Sequence, residues 1–170
     1  MKSLILLLVL ANTFAYSQNS MLVSVWQNQT IAKGKSNSYQ VQQNNTLLFV
    51  RNTNNQIDKR FVGKQIESLP FSYKMLKKTQ NQLEEKIKNY LGTKRLESLS
   101  QETMLVSIYF DSDGNAIEAK FTLNTKTKLS PIIIEELESN VIRKFRMSLE
   151  KGTMSDYFPI DFVIKFYQLQ

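Results

Sequence analysis

The chain has 170 residues, neither cysteine nor histidine, and a formal charge of +7. The two absences exclude Ser-His-Asp and Cys-His nucleophile systems, every zinc site built on His or Cys, and a disulfide framework. The charge is uneven: residues 18–66 carry six Lys/Arg (Lys33, Lys35, Arg51, Lys59, Arg60, Lys64) against Asp58 alone, and residues 67–170 carry fifteen against fourteen acids. The excess sits in an Asn/Gln-rich segment without the basic stripe and aromatic platforms of a nucleic-acid binder, so no nucleic-acid partner is expected.

Met1-Lys2, the apolar run Leu4–Leu10 and the small, polar Asn12–Gln18 match a cleavable export signal over residues 1–17. Ala15 and Ser17 are spaced as the small residues before the cut, which is expected after Ser17. The run is shorter than the roughly 20 apolar residues of a membrane-spanning helix. The expectation is an exported protein, periplasmic or secreted, without a stable membrane anchor after cleavage. The 153 residues that remain suffice for one domain burying about 68–70% of its unfolded surface.

Residues 18–66 read as an extension. Met21–Trp26 has the pattern of a short strand, Gln27–Asn45 holds no period and reads as a linker, and Thr46–Arg51 is a compact strand. Asn52–Asn55 is turn chemistry, with Gln56–Gln65 expected to return as the second strand of a hairpin. Residues 67–170 read as an α+β domain. Met75, Leu76, Leu83, Ile87, Tyr90 and Leu91 predict an amphipathic helix over 71–91, with Gly92 as its left-handed cap. Met104, Val106, Ile108 and Phe110 share one strand face; Ile117, Ala119, Phe121 and Leu123 share another, with Glu118, Lys120 and Thr122 outward. The intervening Asp111–Asn115, with its Asp-Gly, signals a hairpin. Ser130 and Pro131 open a second helix as N-cap and first position. It carries Ile133, Leu137, Val141 and Phe145 on one face and a basic end of Arg143, Lys144 and Arg146. Ile160, Phe162, Ile164 and Phe166 alternate in a last strand. The expected architecture is a small antiparallel sheet of three core strands packed against two helices.

This order resembles the C-terminal domain of TonB and its relatives over residues 71–167. Phe110-Asp111-Ser112-Asp113-Gly114-Asn115, Val141-Ile142-Arg143-Lys144-Phe145-Arg146 and Ile160-Asp161-Phe162-Val163-Ile164-Lys165-Phe166 carry the likeness. TonB itself has a spanning anchor and a Pro-rich reach, where this chain has an expected cleavable signal and three prolines. The resemblance therefore implies binding without energy transduction. The implied mode is addition of an extended partner segment to the edge of the last strand, at Phe158, Asp161, Val163 and Lys165.

Three fragments have the outline of chemical motifs. Gly34-Lys35-Ser36 ends like a phosphate loop but lacks the first glycine, at Gln29; Ser148-Leu149-Glu150-Lys151 fits a Ser-x-x-Lys pattern without its companions. Asp111, Asp113 and Asn115 begin like a calcium loop, but Ala116 and Thr122 stand where Gly and Glu belong. Turn and cap roles explain all three, and neither a metal nor a cofactor is expected. The reading is a non-catalytic protein-binding module. One alternative is a carboxylate glycan hydrolase using Glu135 and Glu138 with Asp156 or Asp161. A related one is a carbohydrate-binding protein with Trp26 and Tyr39 as platform. A third is a homo-oligomeric structural subunit associating through helix 71–91.

Overall fold

The computed structural model describes Trp26 and residues 30–56, 71–149 and 157–170. The expected signal, the strand over 56–65 and Asp156 fall almost entirely outside these residues. In chain order the elements are β1 (Ile31–Lys33), β2 (Ser38–Asn44), β3 (Leu47–Asn52), α1 (Tyr73–Ser98), β4 (Thr103–Phe110), β5 (Ala116–Asn124), α2 (Pro131–Asn140) and β6 (Phe158–Lys165). Short 3-10 turns follow at Ile142–Lys144 and Phe166–Leu169. The protein is α+β. Among the described residues one antiparallel sheet runs β1-β2-β3-β5-β4-β6.

The three expected core strands β4, β5 and β6 are present, and three more from the extension join them through β3 and β5. The stretch read as a linker contains β1 and β2. Tyr39 and Val41 point into the core while Gln40 and Gln42 point out, a period of two carried by only two apolar residues. Thr46–Arg51 is a strand, but its hairpin partner is β2, upstream. Asn45, at φ 53, takes the left-handed position of that turn, as Asn tolerates.

The helices cover one face of the sheet. Ser72 caps α1 by accepting from the Met75 amide, and Thr79, Leu83, Ile87, Leu91 and Leu96 face inward. The helix breaks at Gly92, φ 70, where a left-handed cap was expected, and resumes to Ser98. Ser130 caps α2 through the Ile133 amide, with Pro131 in the first turn. That helix ends at Asn140, earlier than expected; the basic end is a 3-10 turn followed by extended chain. There the Met147 amide donates to the Gly114 carbonyl and the Ala116 amide to that of Phe145.

Met104, Val106, Ile108, Phe110, Phe158, Ile160, Phe162 and Ile164 are all buried, as alternation predicts. Phe110 stacks on Phe158 at 5.6 Å and meets Phe145 and Phe162 edge-on at 6.2 and 6.5 Å, while Phe71 packs on Phe158 at 5.2 Å. Such ring pairs contribute about 0.5–1.5 kcal/mol each beyond area burial. The bulge between Tyr109 and Phe110 leaves Ile117 as the extra, half-buried residue of β5, while Glu118 pairs with Tyr109 on the face of Lys120 and Thr122, as expected, and is buried there. The Glu118 carboxylate accepts from the Gln56 amide at 2.7 Å.

Candidate functional site

Among the described residues β6 is one margin of the sheet. The Phe166 amide donates to the Glu102 carbonyl at 3.1 Å, so even-numbered amides of this strand face β4. In an antiparallel ladder the peptide groups alternate, which directs those of Asp161, Val163 and Lys165 away from the sheet. Pro159 belongs to the same outward set and has no N–H to present, as suits an edge proline. Gln80 of α1 donates to the Val163 carbonyl at 2.8 Å and to Glu84 Oε1 at 2.6 Å. The helix therefore engages one outward acceptor of the strand. Asp161 and Val163 are exposed and Val163 remains 46% accessible, whereas Phe158 is a core ring. The backbone groups of Phe158, like those of the other even-numbered residues, face β4, so neither its ring nor its peptide belongs to the edge.

The basic cluster is not brought to this edge as a free patch. Arg143 reaches Glu138 Oε1 at 3.2 Å and Asn55 Oδ1 at 3.4 Å; Arg146 donates to the Asp113 carbonyl at 3.4 Å. Lys144 is exposed. The turn that Arg146 touches is organised by Asp111 Oδ1, which accepts from the Asp113 and Asn115 amides at 3.0 and 2.8 Å. Burial pushes the Asp111 pKa up, but hydrogen bonds from Asn115 and Asp113 outweigh it and hold the carboxyl below its usual range. These are turn contacts within Asp111–Asn115; among the described residues no acidic cluster of metal-site size occurs.

The three acids of α2 also serve the fold. Glu138 is fully buried; its Oε2 accepts from the Tyr39 hydroxyl at 2.7 Å and Asn52 Nδ2 at 3.1 Å, and its Oε1 faces Arg143. Burial first, and then the bond to Glu138, push the Tyr39 pKa well above its ordinary value. Glu135 accepts from the backbone amides of Lys35, Ser36 and Asn37. The Gly34-Lys35-Ser36 fragment thus does cradle an anion, namely the chain's own carboxylate. A Cβ on Gly34 would collide with Glu135 Oε2. Gly34→Ala is therefore expected to cost about 2 kcal/mol in urea unfolding, the scale of a lost charge-assisted hydrogen bond. Wild-type stability in that variant would contradict the cradle.

Glu136 lies between Lys35 Nζ at 2.6 Å and Arg95 at 2.8 Å. The Lys35 hydrogen bond, followed by Arg95, holds its pKa below the ordinary carboxylate value. A depressed folded pKa gives stability that is present above the unfolded value, about pH 4.3, and lost as pH falls through the lower folded value. The melting temperature should fall on acidification below about pH 4.3, and by less in Glu136→Gln. An identical acid limb in both proteins would remove this contribution.

The aromatic pair proposed as a sugar platform is unavailable for that role: Trp26 and Tyr39 are both buried, and Trp26 Nε1 donates to the Leu129 carbonyl at 2.6 Å. The stripe Leu83, Ile87 and Leu91 packs inside its own domain. One feature of the candidate edge lay outside the sequence reading, the Gln80 contact with Val163. It has no local signal, because it depends on which element packs beside β6.

Among the described residues no helix is long and apolar enough to cross a membrane. No protein-family model matches the chain, and no curated protein does. Its fold is similar to the 1.85 Å crystal structure of a DUF5043 family protein from Bacteroides uniformis ATCC 8492, with a TM-score of 0.58 over 84% of this chain and 93% of that one. At 14% sequence identity this likeness concerns the fold alone.

Proposed function

We propose that the protein is an exported, non-catalytic binding module that captures an extended segment of an envelope protein by strand addition to β6. The observation that carries this reading is the position of β6 as an eight-residue outer strand with Asp161, Val163 and Lys165 turned outward. Backbone hydrogen bonds would supply affinity, and the side chains of alternate residues selectivity. The resemblance of the three motifs to TonB C-terminal domains supports the same mode, and the signal-like residues 1–17 support export. Glu135 and Glu138, the acids a glycan hydrolase would need, are occupied by the Lys35–Asn37 amides and by Tyr39, Asn52 and Arg143.

A library of extended peptides, selected on the full chain and followed by amide NMR, tests the reading. A bound peptide is expected to shift and protect the amides of Asp161, Val163 and Lys165 while leaving the β2–β3 turn unmoved. Protection concentrated elsewhere, or a library without binders, would contradict it.

A further inference from the structure

The two margins of the described sheet differ. β1 is only Ile31–Lys33, and an edge so short offers little to a second chain. β6 runs without a bulge against β4 from Phe158 to Lys165, and its one proline, Pro159, stands near its start. The outward peptide groups are those of Asp161, Val163 and Lys165, and the side chains of these three residues share the sheet face away from the core. Val163 is 46% accessible. Among the described residues neither Asp161 nor Lys165 has an ion-pair partner, unlike Lys35, Arg95 and Arg143. The edge thus presents an acid, an apolar residue and a base at a spacing of two, a pattern complementary to its own reversal.

On the reading of β6 as an edge that accepts a strand, we propose that it pairs antiparallel with β6 of a second copy of this chain. The two-fold axis passes through Val163, and the dimer holds the capture edge closed. Residues that exchange both backbone bonds in an antiparallel ladder stand directly opposite one another, so the outward odd-numbered residues must meet odd-numbered ones. With Val163 on the axis, Asp161 stands opposite Lys165 of the second copy, and Lys165 opposite its Asp161. Both charges are then paired and Val163 meets Val163, whereas an axis through Asp161 or Lys165 would oppose like charges. Pro159 would face Tyr167, beyond the end of the strand, so its missing N–H interrupts no pair. Gln80 takes one lone pair of the Val163 carbonyl and leaves the other for the second copy's amide. The pairing is isologous, so it consumes both β6 edges and stops at two chains. A captured segment competes for the same amides, and capture releases monomers.

Sedimentation equilibrium of the full chain tests the pairing with no captured segment present, and the expected result is a reversible monomer–dimer equilibrium. Lys165→Asp sets acid against acid on both sides of the axis and should raise the dissociation constant about tenfold or more. Adding Asp161→Lys restores opposite charges and should return the constant to within about threefold of its original value. Both side chains are on the solvent side, and circular dichroism verifies that the variants are folded. Because the chain has no cysteine, a bis-maleimide gives a second reading. Val163→Cys should cross-link to a dimer, and Ile132→Cys, exposed on α2, should not. Monomer mass up to about 1 mM overturns the dimer, as does equal cross-linking at the two positions. Undiminished association in folded Lys165→Asp, or no recovery on adding Asp161→Lys, overturns this pairing. The dimer and the capture fail separately. A monomer whose Asp161, Val163 and Lys165 amides are protected by a selected peptide removes only the dimer, and a dimer for which the library yields no binder removes only the capture.

Discussion

Val163→Pro is expected to leave the protein folded and to weaken partner capture about tenfold or more, since an unsatisfied backbone group costs about 1–3 kcal/mol. The asymmetry follows from the direction of one amide. Even-numbered amides of β6 point to β4, as the Phe166–Glu102 bond shows, so the Val163 N–H is not used within the sheet. Proline removes that donor and sets its ring in the path of an incoming strand, yet costs the ladder no bond. Val163→Ala is the control: it keeps the N–H and should retain most of the capture. Circular dichroism checks the fold, and binding of an NMR-selected peptide gives the affinity. Equal affinity in a folded Val163→Pro variant would exclude strand addition at this edge.

The second large effect concerns stability. Glu138→Ala is expected to cost about 2–6 kcal/mol, the scale for leaving two buried polar groups without their acceptor at about 1–3 kcal/mol each. The loss would be a large part of the roughly 5–15 kcal/mol by which domains are stable. Glu138 is fully buried and is the common acceptor for Tyr39 of β2, Asn52 of β3 and Arg143 beyond α2. Removing it strands a buried hydroxyl and a buried amide, while the exposed Arg143 guanidinium turns to solvent. Glu138→Gln keeps an acceptor and should lose less, and Tyr39→Phe should cost about 1.5–3 kcal/mol for one bond to a charged group. Urea unfolding of the three variants checks the order. A loss below about 1 kcal/mol for Glu138→Ala would be a surface-substitution result and would contradict its structural role.

The C-terminal half was legible because each of its strands buries a single face. Met104–Phe110 and Ile160–Phe166 alternate without interruption, and Asp-Gly, Ser130-Pro131 and Gly92 mark their turn, cap and break by local chemistry. The N-terminal strands were not legible for the opposite reason. β2 inserts only Tyr39 and Val41, and its outward glutamines give it the composition of a loop; it becomes a strand by pairing with β3 and packing beneath α2. Glu135 and Glu138 were read as catalytic candidates because they stand one helical turn apart, and two acids brought together by folding leave no sequence signature. The Ser36 amide and the Tyr39 hydroxyl that they accept from each lie 99 residues away, where no periodicity can indicate them. The candidate edge was half legible. Alternation gave its side chains, while its marginal position and its contact with Gln80 arise from the strand order.

The most direct measurement places a photo-crosslinking residue at Asp161, whose side chain is exposed and whose peptide groups point outward. Irradiation is carried out in the cells that produce the protein, with Ile132 on the exposed side of α2 as the comparison position. Strand capture at β6 predicts one discrete adduct at Asp161, absent at Ile132 and lost when Val163→Pro is introduced. Folded, exported protein that yields no adduct at Asp161, or the same adduct at both positions, would contradict it.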